Sequence, residues 1–141
     1  MQNTVRLLIG LALVLLPGAS LAAGTRNFDG LWQTTLSCPP AQDAPGYSHQ
    51  FVSTVKGGVL YGVYGTVGEA SSLELDGSIA PDGSAKLYVK GRTGSTEYDE
   101  PNTPRGTPYS YSVDAHFAAS SGTGTRVENR PCAFTFAKKK K

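Results

Sequence analysis

The sequence is short of the residues and motifs that most enzyme active sites require. It has two histidines, His49 and His116, and neither has a neighbour at a spacing that chelates a metal or builds a catalytic triad. It contains no G-x-S-x-G, no H-E-x-x-H and no glycine-rich loop that cradles a phosphate before a helix. We therefore expect no enzyme, no catalytic or metal-binding residues and no cofactor.

A broad basic surface is also missing. The formal net charge is +2, but Lys138 to Lys141 supply a terminal basic run and Arg6 lies near the N-terminus; without these residues acidic side chains outnumber basic ones. Nucleic-acid binding needs a basic face that neutralises phosphates, so we expect no nucleic-acid partner. The lysine run could attract an anionic membrane surface, but no apolar anchor lies beside it. We interpret residues 138–141 as a basic, solubilising tail.

A long apolar run occurs once, at the N-terminus. Arg6 precedes the run Leu7–Leu16, which Pro17 ends, and small residues follow it. This pattern is typical of a secretory signal peptide, and the run is too short to span a bilayer. We predict removal of residues 1–22 by cleavage after Ala22, with Ala23 as the alternative. Since no cysteine follows the cut to carry a lipid, we expect a periplasmic or secreted protein without a stable membrane anchor.

The sequence contains only two cysteines, Cys38 and Cys132, near opposite ends of the single domain that residues 23–137 would form. Export would take them to an oxidising compartment, where disulfides persist. They lack the C-x-x-C spacing of redox or zinc sites, so we predict that they pair, with free or intermolecular thiols as the alternative. A bridge across so long a loop is worth roughly 4–5 kcal/mol in the chain-entropy model.

Helical periodicity is absent after the signal segment, whereas glycine and proline recur along the chain as turn signals. Period-two alternation predicts strands over Phe28–Cys38, Tyr47–Val55, Val59–Tyr64, Leu73–Ile79, Ala85–Val89 and Tyr109–Phe117, and a last run ending with Cys132, Phe134 and Phe136. Turns are predicted at Lys56–Gly58, Pro81–Gly83 and Ser120–Gly124. Some seven to eight sequential strands favour a small antiparallel up-and-down β-barrel, because closure removes exposed edges. A β-sandwich is the alternative.

The longest predicted loop runs from Thr93 to Pro108 and carries an acidic cluster. Three carboxylates there could offer oxygens to calcium, but the Asp-x-Asp-x-Asp-Gly spacing is absent, so we interpret the cluster as solvated, with a partner contact as the alternative. Tyrosine suits contacts with ligands and proteins. The possible binding surface consists of Tyr61, Glu97, Tyr98, Asp99 and Glu100.

Parity along the predicted strands places several other polar and aromatic residues. Tyr109 and Tyr111 are expected in the core, and His116 on the solvent-exposed face of its strand. His49 shares its parity with Phe51 and is expected near a barrel mouth.

The first predicted strand opens with Phe28-Asp29-Gly30-Leu31-Trp32. This G-x-W resembles the opening signature of lipocalin-like and avidin-like small barrels. The resemblance implies that Trp32 is a core plug at one end of the barrel and that Gly30 allows close backbone approach. The chain as a whole resembles small exported β-domain proteins of Gram-negative bacteria, which implies a fold but no particular activity.

These observations favour a non-enzymatic, monomeric, exported binding module that presents loops or an open mouth to a small apolar ligand or to a periplasmic protein. One alternative is a periplasmic inhibitor of a hydrolase that acts through an inserted loop. Another is a hydrolase with a non-local site. An open cavity would favour the first, a filled core with a rigid projecting loop the second, and a cleft joining His49 to carboxylates the third.

Overall fold

Alternating apolar and polar side chains build eight strands in the computed structural model, which describes residues 27–41, 44–95 and 103–141. The strands are β1 (Gly30–Cys38), β2 (Tyr47–Lys56), β3 (Val59–Tyr64), β4 (Ser72–Ile79), β5 (Ser84–Arg92), β6 (Pro108–Phe117), β7 (Ser121–Arg126) and β8 (Ala133–Lys138). The described residues contain no helix that is long and apolar enough to cross a membrane.

The strands form a closed up-and-down barrel. Each strand pairs antiparallel with its neighbour in sequence, and β8 pairs with β1 to close the sheet. Thr34 of β1 therefore lies between Phe51 on one neighbouring strand and Phe136 on the other. The predicted all-β barrel is confirmed, and the sandwich alternative is wrong.

The predicted turn at Ser120–Gly124 is wrong, because most of it is strand β7. Gly122 and Gly124 have the inward parity of β7 and are buried. A Cβ atom at either position would lie 2.9 Å from a side-chain atom of Phe117 or Val113. Glycine here makes room for large neighbouring side chains inside the barrel, a role that resembles a turn signal when only the sequence is available.

The barrel interior is filled by side chains. Inward positions of the strands carry fully buried apolar residues, among them Leu36, Leu60, Leu75, Leu87, Val89, Val113, Phe134 and Phe136. The buried hydroxyls of Thr34 and Ser53 lie 2.7 Å apart and hydrogen bond to each other, which satisfies two polar groups inside the core. The middle of the barrel is thus a packed core.

The predicted disulfide is confirmed and lies where the barrel closes. Cys38 at the end of β1 bonds to Cys132 just before β8, with their Cα atoms 4.2 Å apart. Both cysteines are buried. Because the two residues are separated by 94 positions in sequence, the bridge joins the two ends of the folded chain covalently.

One end of the barrel is closed by aromatic rings. Trp32 is fully buried, its Nε1 donates to the Phe28 carbonyl oxygen at 2.8 Å, and its ring packs edge-on against Phe117 with centroids 5.4 Å apart. Phe28 packs against the same Phe117 ring. Trp32 therefore occupies the position that a core plug requires.

Gly30 and the lysines lie beside this closed end. Gly30 has φ +138°, which side-chain-bearing residues rarely adopt, and an added Cβ would lie 3.1 Å from Cε of Lys138. The close approach at Gly30 is thus by a lysine side chain. Lys138 belongs to β8, and the Lys139 amide donates to the Leu31 carbonyl oxygen. The basic tail accordingly begins later than the predicted boundary at residue 138.

Candidate functional site

The opposite end of the barrel, which we call the mouth, carries four connections longer than the hairpin turns at the closed end. Inward positions near the mouth hold aromatic and polar residues in place of aliphatic ones: Tyr47 and His49 on β2, Tyr64 on β3 and Tyr109 on β6. All four are partly buried. The strand alternation that fills the core thus continues into the mouth, but with different chemistry.

A cavity of about 440 Å³ lies in the mouth. Its floor includes the buried side chain of Leu73, which separates it from the packed core. Rings, hydroxyls and one guanidinium line it, including those of Tyr47, His49, Tyr64, Ser72, Arg92, Thr93 and Tyr109. This size and this mixture of lining groups are typical of small-molecule sites.

One wall of the cavity is a row of three aromatic side chains, Tyr47, His49 and Tyr64, which we call the aromatic row. The His49 ring stacks on Tyr64 with centroids 4.0 Å apart and an interplanar angle of 20°. Tyr47 packs against the same imidazole with centroids 5.0 Å apart. Adjacent strands therefore line one side of the cavity with a stacked pair of rings and a third ring tilted against them.

Burial lowers the pKa of His49 below its ordinary value of 6.5, and a backbone hydrogen bond at Ser48 opposes this only in part. The imidazole is thus mainly neutral at neutral pH. The ring contacts of His49 are with two tyrosines, and these contacts add no support for the hydrolase alternative, which stays a prediction.

The opposite side of the mouth combines tyrosines with an arginine inside the barrel. Tyr109 stacks on Tyr111 with centroids 6.0 Å apart, and the Arg126 guanidinium lies 4.0 Å above the Tyr111 ring. Burial raises the pKa of Tyr111 strongly, so that its hydroxyl is protonated. The Nε of Arg126 is buried and has no hydrogen-bond partner among the residues that the structure describes.

Sequence reasoning missed Arg126 as an inward-facing residue at the end of a strand. It lies at the end of the strand that was predicted in large part as a turn. The spacing Gly122-x-Gly124-x-Arg126 was the available signal, because residues two apart on a strand face the same side.

The rim of the cavity is held by hydrogen bonds at the base of the loop predicted at Thr93–Pro108. Arg92 Nη1 donates to the Gly106 carbonyl oxygen at 3.0 Å. The buried Thr93 hydroxyl donates to the Pro104 carbonyl oxygen at 2.7 Å and accepts from the Thr107 amide at 2.9 Å. Both ends of this loop are therefore joined directly above β5 and β6.

A second arginine ties two other loops together beside the disulfide. Arg130 Nε donates to the Pro39 carbonyl oxygen and Nη2 to the Pro45 carbonyl oxygen, both at 2.7 Å. Its guanidinium also lies 5.1 Å from the centre of the Tyr47 ring. These contacts position Tyr47 at the edge of the cavity.

The predicted binding surface is not assembled at this cavity as far as the structure describes it. Tyr61 lies on the outer face of β3, 48% exposed, and its hydroxyl donates to Glu74 Oε1 at 3.0 Å. Glu97, Tyr98, Asp99 and Glu100 lie outside the described residues. Within the described ranges, no group of three or more His, Cys, Asp and Glu side chains could hold a metal ion.

The predicted positions of the two histidines agree with the structure. His116 is exposed on the outer face of β6, while His49 lies in the mouth. Tyr111 is buried as predicted, but Tyr109 is only partly buried because it lies at the cavity.

Comparison of the chain with protein-family models, with curated proteins and with solved structures finds no match. The lipocalin-like and avidin-like resemblance of the first strand stays a prediction.

Proposed function

We propose that the protein is an exported, non-enzymatic binding module that takes a small molecule in the mouth of its barrel. The observation that carries this proposal is the cavity of about 440 Å³, lined by rings and hydroxyls, at the open end of a barrel whose middle is filled. Small-molecule sites have this scale and are concave, aromatic and furnished with a few polar groups.

The lining favours an amphipathic ligand over the purely apolar one expected from the sequence. The rings of Tyr47, His49 and Tyr64 suit a flat apolar group. The exposed side chain of Ser71 adds a hydroxyl to the lining for polar groups of the ligand.

Preorganisation supports binding at this place. The stacked His49 and Tyr64 rings, the loop contacts of Arg130 and the nearby disulfide hold the cavity walls before a ligand arrives. A ligand would then have few side chains to order, which lowers the free-energy cost of association.

The predicted signal peptide and the disulfide together support an oxidising compartment, the periplasm or the exterior. Under this proposal the protein acts there as a monomer.

The proposal is tested by native mass spectrometry of the exported protein purified from its own host. We expect a retained small molecule in the wild-type chain and its loss in Tyr64→Ala, which removes half of the stacked pair in the mouth. Tyr61→Ala is the matched control, because it removes the same side chain three residues away on the outer face. Equal retention by both variants, or no retained ligand in any sample together with no binding from host extract, would contradict the proposal.

A second candidate, inhibition of a hydrolase through an inserted loop, is favoured by one observation. The segment between β5 and β6 has a base fixed by Thr93, Pro104 and Thr107, as a projecting inhibitory loop needs. Replacement of residues 96–102 by a glycine and serine segment of equal length tests it. Loss of a co-purifying protein with the small molecule retained would support this second candidate and separate it from the first.

A further inference from the structure

The cavity in the mouth has an excess of positive charge in its wall. Among its described lining residues, Arg92 is the one side chain that is ionised at neutral pH, since the pKa of His49 is lowered by burial. No Asp or Glu occurs among these lining residues. A small molecule in the cavity would therefore meet a guanidinium that no carboxylate of the described wall neutralises.

A second, independent observation points in the same direction. Arg126 ends β7 on the mouth side with its guanidinium above the Tyr111 ring, and its buried Nε has no hydrogen-bond partner within the described part of the chain. Tyr111 in turn stacks on the cavity residue Tyr109. A charged donor buried without a partner is unfavourable, and an anionic acceptor would relieve this cost.

The described carboxylates at this end of the barrel do not fill that role. Glu69 is exposed in the connection between β3 and β4. Glu128 accepts from the Ser112 amide at 3.0 Å and is likewise exposed. Neither lines the cavity. Glu74, on the outer face of β4, lines a neighbouring hollow together with Lys90 and Arg92, but it is absent from the cavity lining and accepts from the Tyr61 hydroxyl.

We propose that the ligand is a small aromatic carboxylate. Its flat ring lies against the aromatic row, and its carboxylate faces the arginine side of the mouth, where Arg92 and Arg126 supply donors. A guanidinium recognises a carboxylate through paired, charge-assisted hydrogen bonds, which are stronger than bonds between neutral groups. This inference rests on the proposed function and gives it a ligand class.

The experiment compares three probes that share one ring and differ in charge: indole-3-acetate, indole-3-acetamide and tryptamine. Binding of each to the full exported chain is measured by isothermal titration calorimetry. We expect the carboxylate to bind about tenfold or more tightly than the amide, and the ammonium compound to bind most weakly. The differences in affinity among the three probes should become smaller as the salt concentration rises, because salt screens the charges.

The outcomes separate the ligand class from the proposed function. Equal binding of the carboxylate and the amide would overturn the carboxylate inference and leave the small-molecule module standing. Tighter binding of the ammonium compound would do the same. Failure of all three probes to bind would count against the inference and the proposed function together.

Variants locate the anion on the arginine side. Arg92→Gln and Arg126→Gln each remove one positive charge from the mouth, whereas Lys90→Gln removes one from the exposed outer face of β5, two residues from Arg92. We expect the preference for carboxylate over amide to fall about tenfold in at least one arginine variant and to persist in Lys90→Gln.

Preservation of the preference in both arginine variants would overturn the assignment. An equal loss in all three variants would also overturn it, because it would indicate a general effect of net charge. The ratio of carboxylate affinity to amide affinity is measured only in variants that unfold cooperatively. The ligand class itself is decided by the comparison of probes on the wild-type chain, which needs no substitution.

Discussion

The two ends of this barrel use the same strand alternation for opposite purposes. At the closed end, Phe28, Trp32 and Phe117 pack their rings against one another until Trp32 has no exposed surface. At the mouth, Tyr47, His49 and Tyr64 also contact one another, but they remain partly exposed around a cavity. Aromatic content therefore does not distinguish a core from a site, whereas the space left beside the rings does.

The connections explain much of the difference. Short turns such as the one at Gly57 and Gly58, where φ is +58° and +75°, bring strands together at the closed end. The mouth has longer connections, including the segment between β5 and β6. Longer connections leave the strand ends apart, and several lining residues there remain partly exposed: Tyr47, Tyr64, Arg92 and Tyr109.

The mouth is nevertheless rigidified by bonds that the closed end lacks. The Cys38–Cys132 disulfide and the two carbonyl contacts of Arg130 are all on this side. We infer that these bonds stabilise the mouth, where the open cavity leaves fewer side-chain packing contacts. The four predictions below test this contrast between packing at one end and crosslinking at the other.

The largest effect is expected from the disulfide. Cys38→Ser and Cys132→Ser should each destabilise the oxidised protein by roughly 4–5 kcal/mol, because each removes the same constraint on the unfolded chain. The double variant should lose little more. Urea unfolding measures this, and losses in the double variant that equal the sum of the single losses would argue against a shared crosslink.

Truncation at the closed end should cost nearly as much. We expect Trp32→Ala to destabilise by roughly 3–5 kcal/mol, as large aromatic truncations in cores do. The emission of this tryptophan, the only one in the chain, should be blue-shifted and resistant to aqueous quenchers. A red, easily quenched spectrum from folded protein would contradict the burial of Trp32 at the closed end.

The matched truncation in the mouth should be milder. Tyr64→Ala removes a partly buried ring that stacks on His49, and the expected cost in stability is about 1 kcal/mol. The same change should weaken ligand retention, as proposed above. A loss of stability as large as that of Trp32→Ala would mean that the two ends do not differ in the way we infer.

The smallest effect concerns pH and His49. Because burial holds the pKa of His49 below 6.5 in the folded protein, the unfolded chain binds more protons as the pH falls below that value. His49 thus contributes stability that is fully present above pH 6.5 and lost progressively as the pH falls through its folded pKa.

Urea unfolding between about pH 5 and 8 measures this dependence. His49→Gln should flatten the part of the profile near pH 6, while His116→Gln, which changes an exposed histidine, should leave it in place. If the unfolding free energy depends on pH in the same way in the wild-type chain and in His49→Gln, the attribution of this pH dependence to His49 is wrong.

Alternation in the sequence was sufficient for most of the fold. Side chains such as Leu73 and Leu75, or Val113 and Phe117, reveal strands because burial of one sheet face demands a period of two. Two distant cysteines were enough for the disulfide, and its position then implied that first and last strands meet. Strand β7 was not predicted, because its inward positions are Gly122 and Gly124, which have no side chains to show the alternation.

The site could be predicted only in part. His49 was expected near a mouth from its parity with Phe51, but its stacking on Tyr64 depends on how β2 and β3 pair. Tyr61 and Tyr64 cannot be ranked as site residues from composition alone. They lie three residues apart on one strand, and parity puts them on opposite faces.

The sequence by itself thus determined an all-β chain, its inward faces and its crosslink, since these follow from local alternation and from the pairing of two thiols. Only the tertiary structure decided that the core is filled, that one end is closed by Trp32, and that Arg92 lines the mouth together with the aromatic row. These depend on closure of the sheet, because closure brings together residues from strands that are far apart in sequence and fixes how much space remains between them.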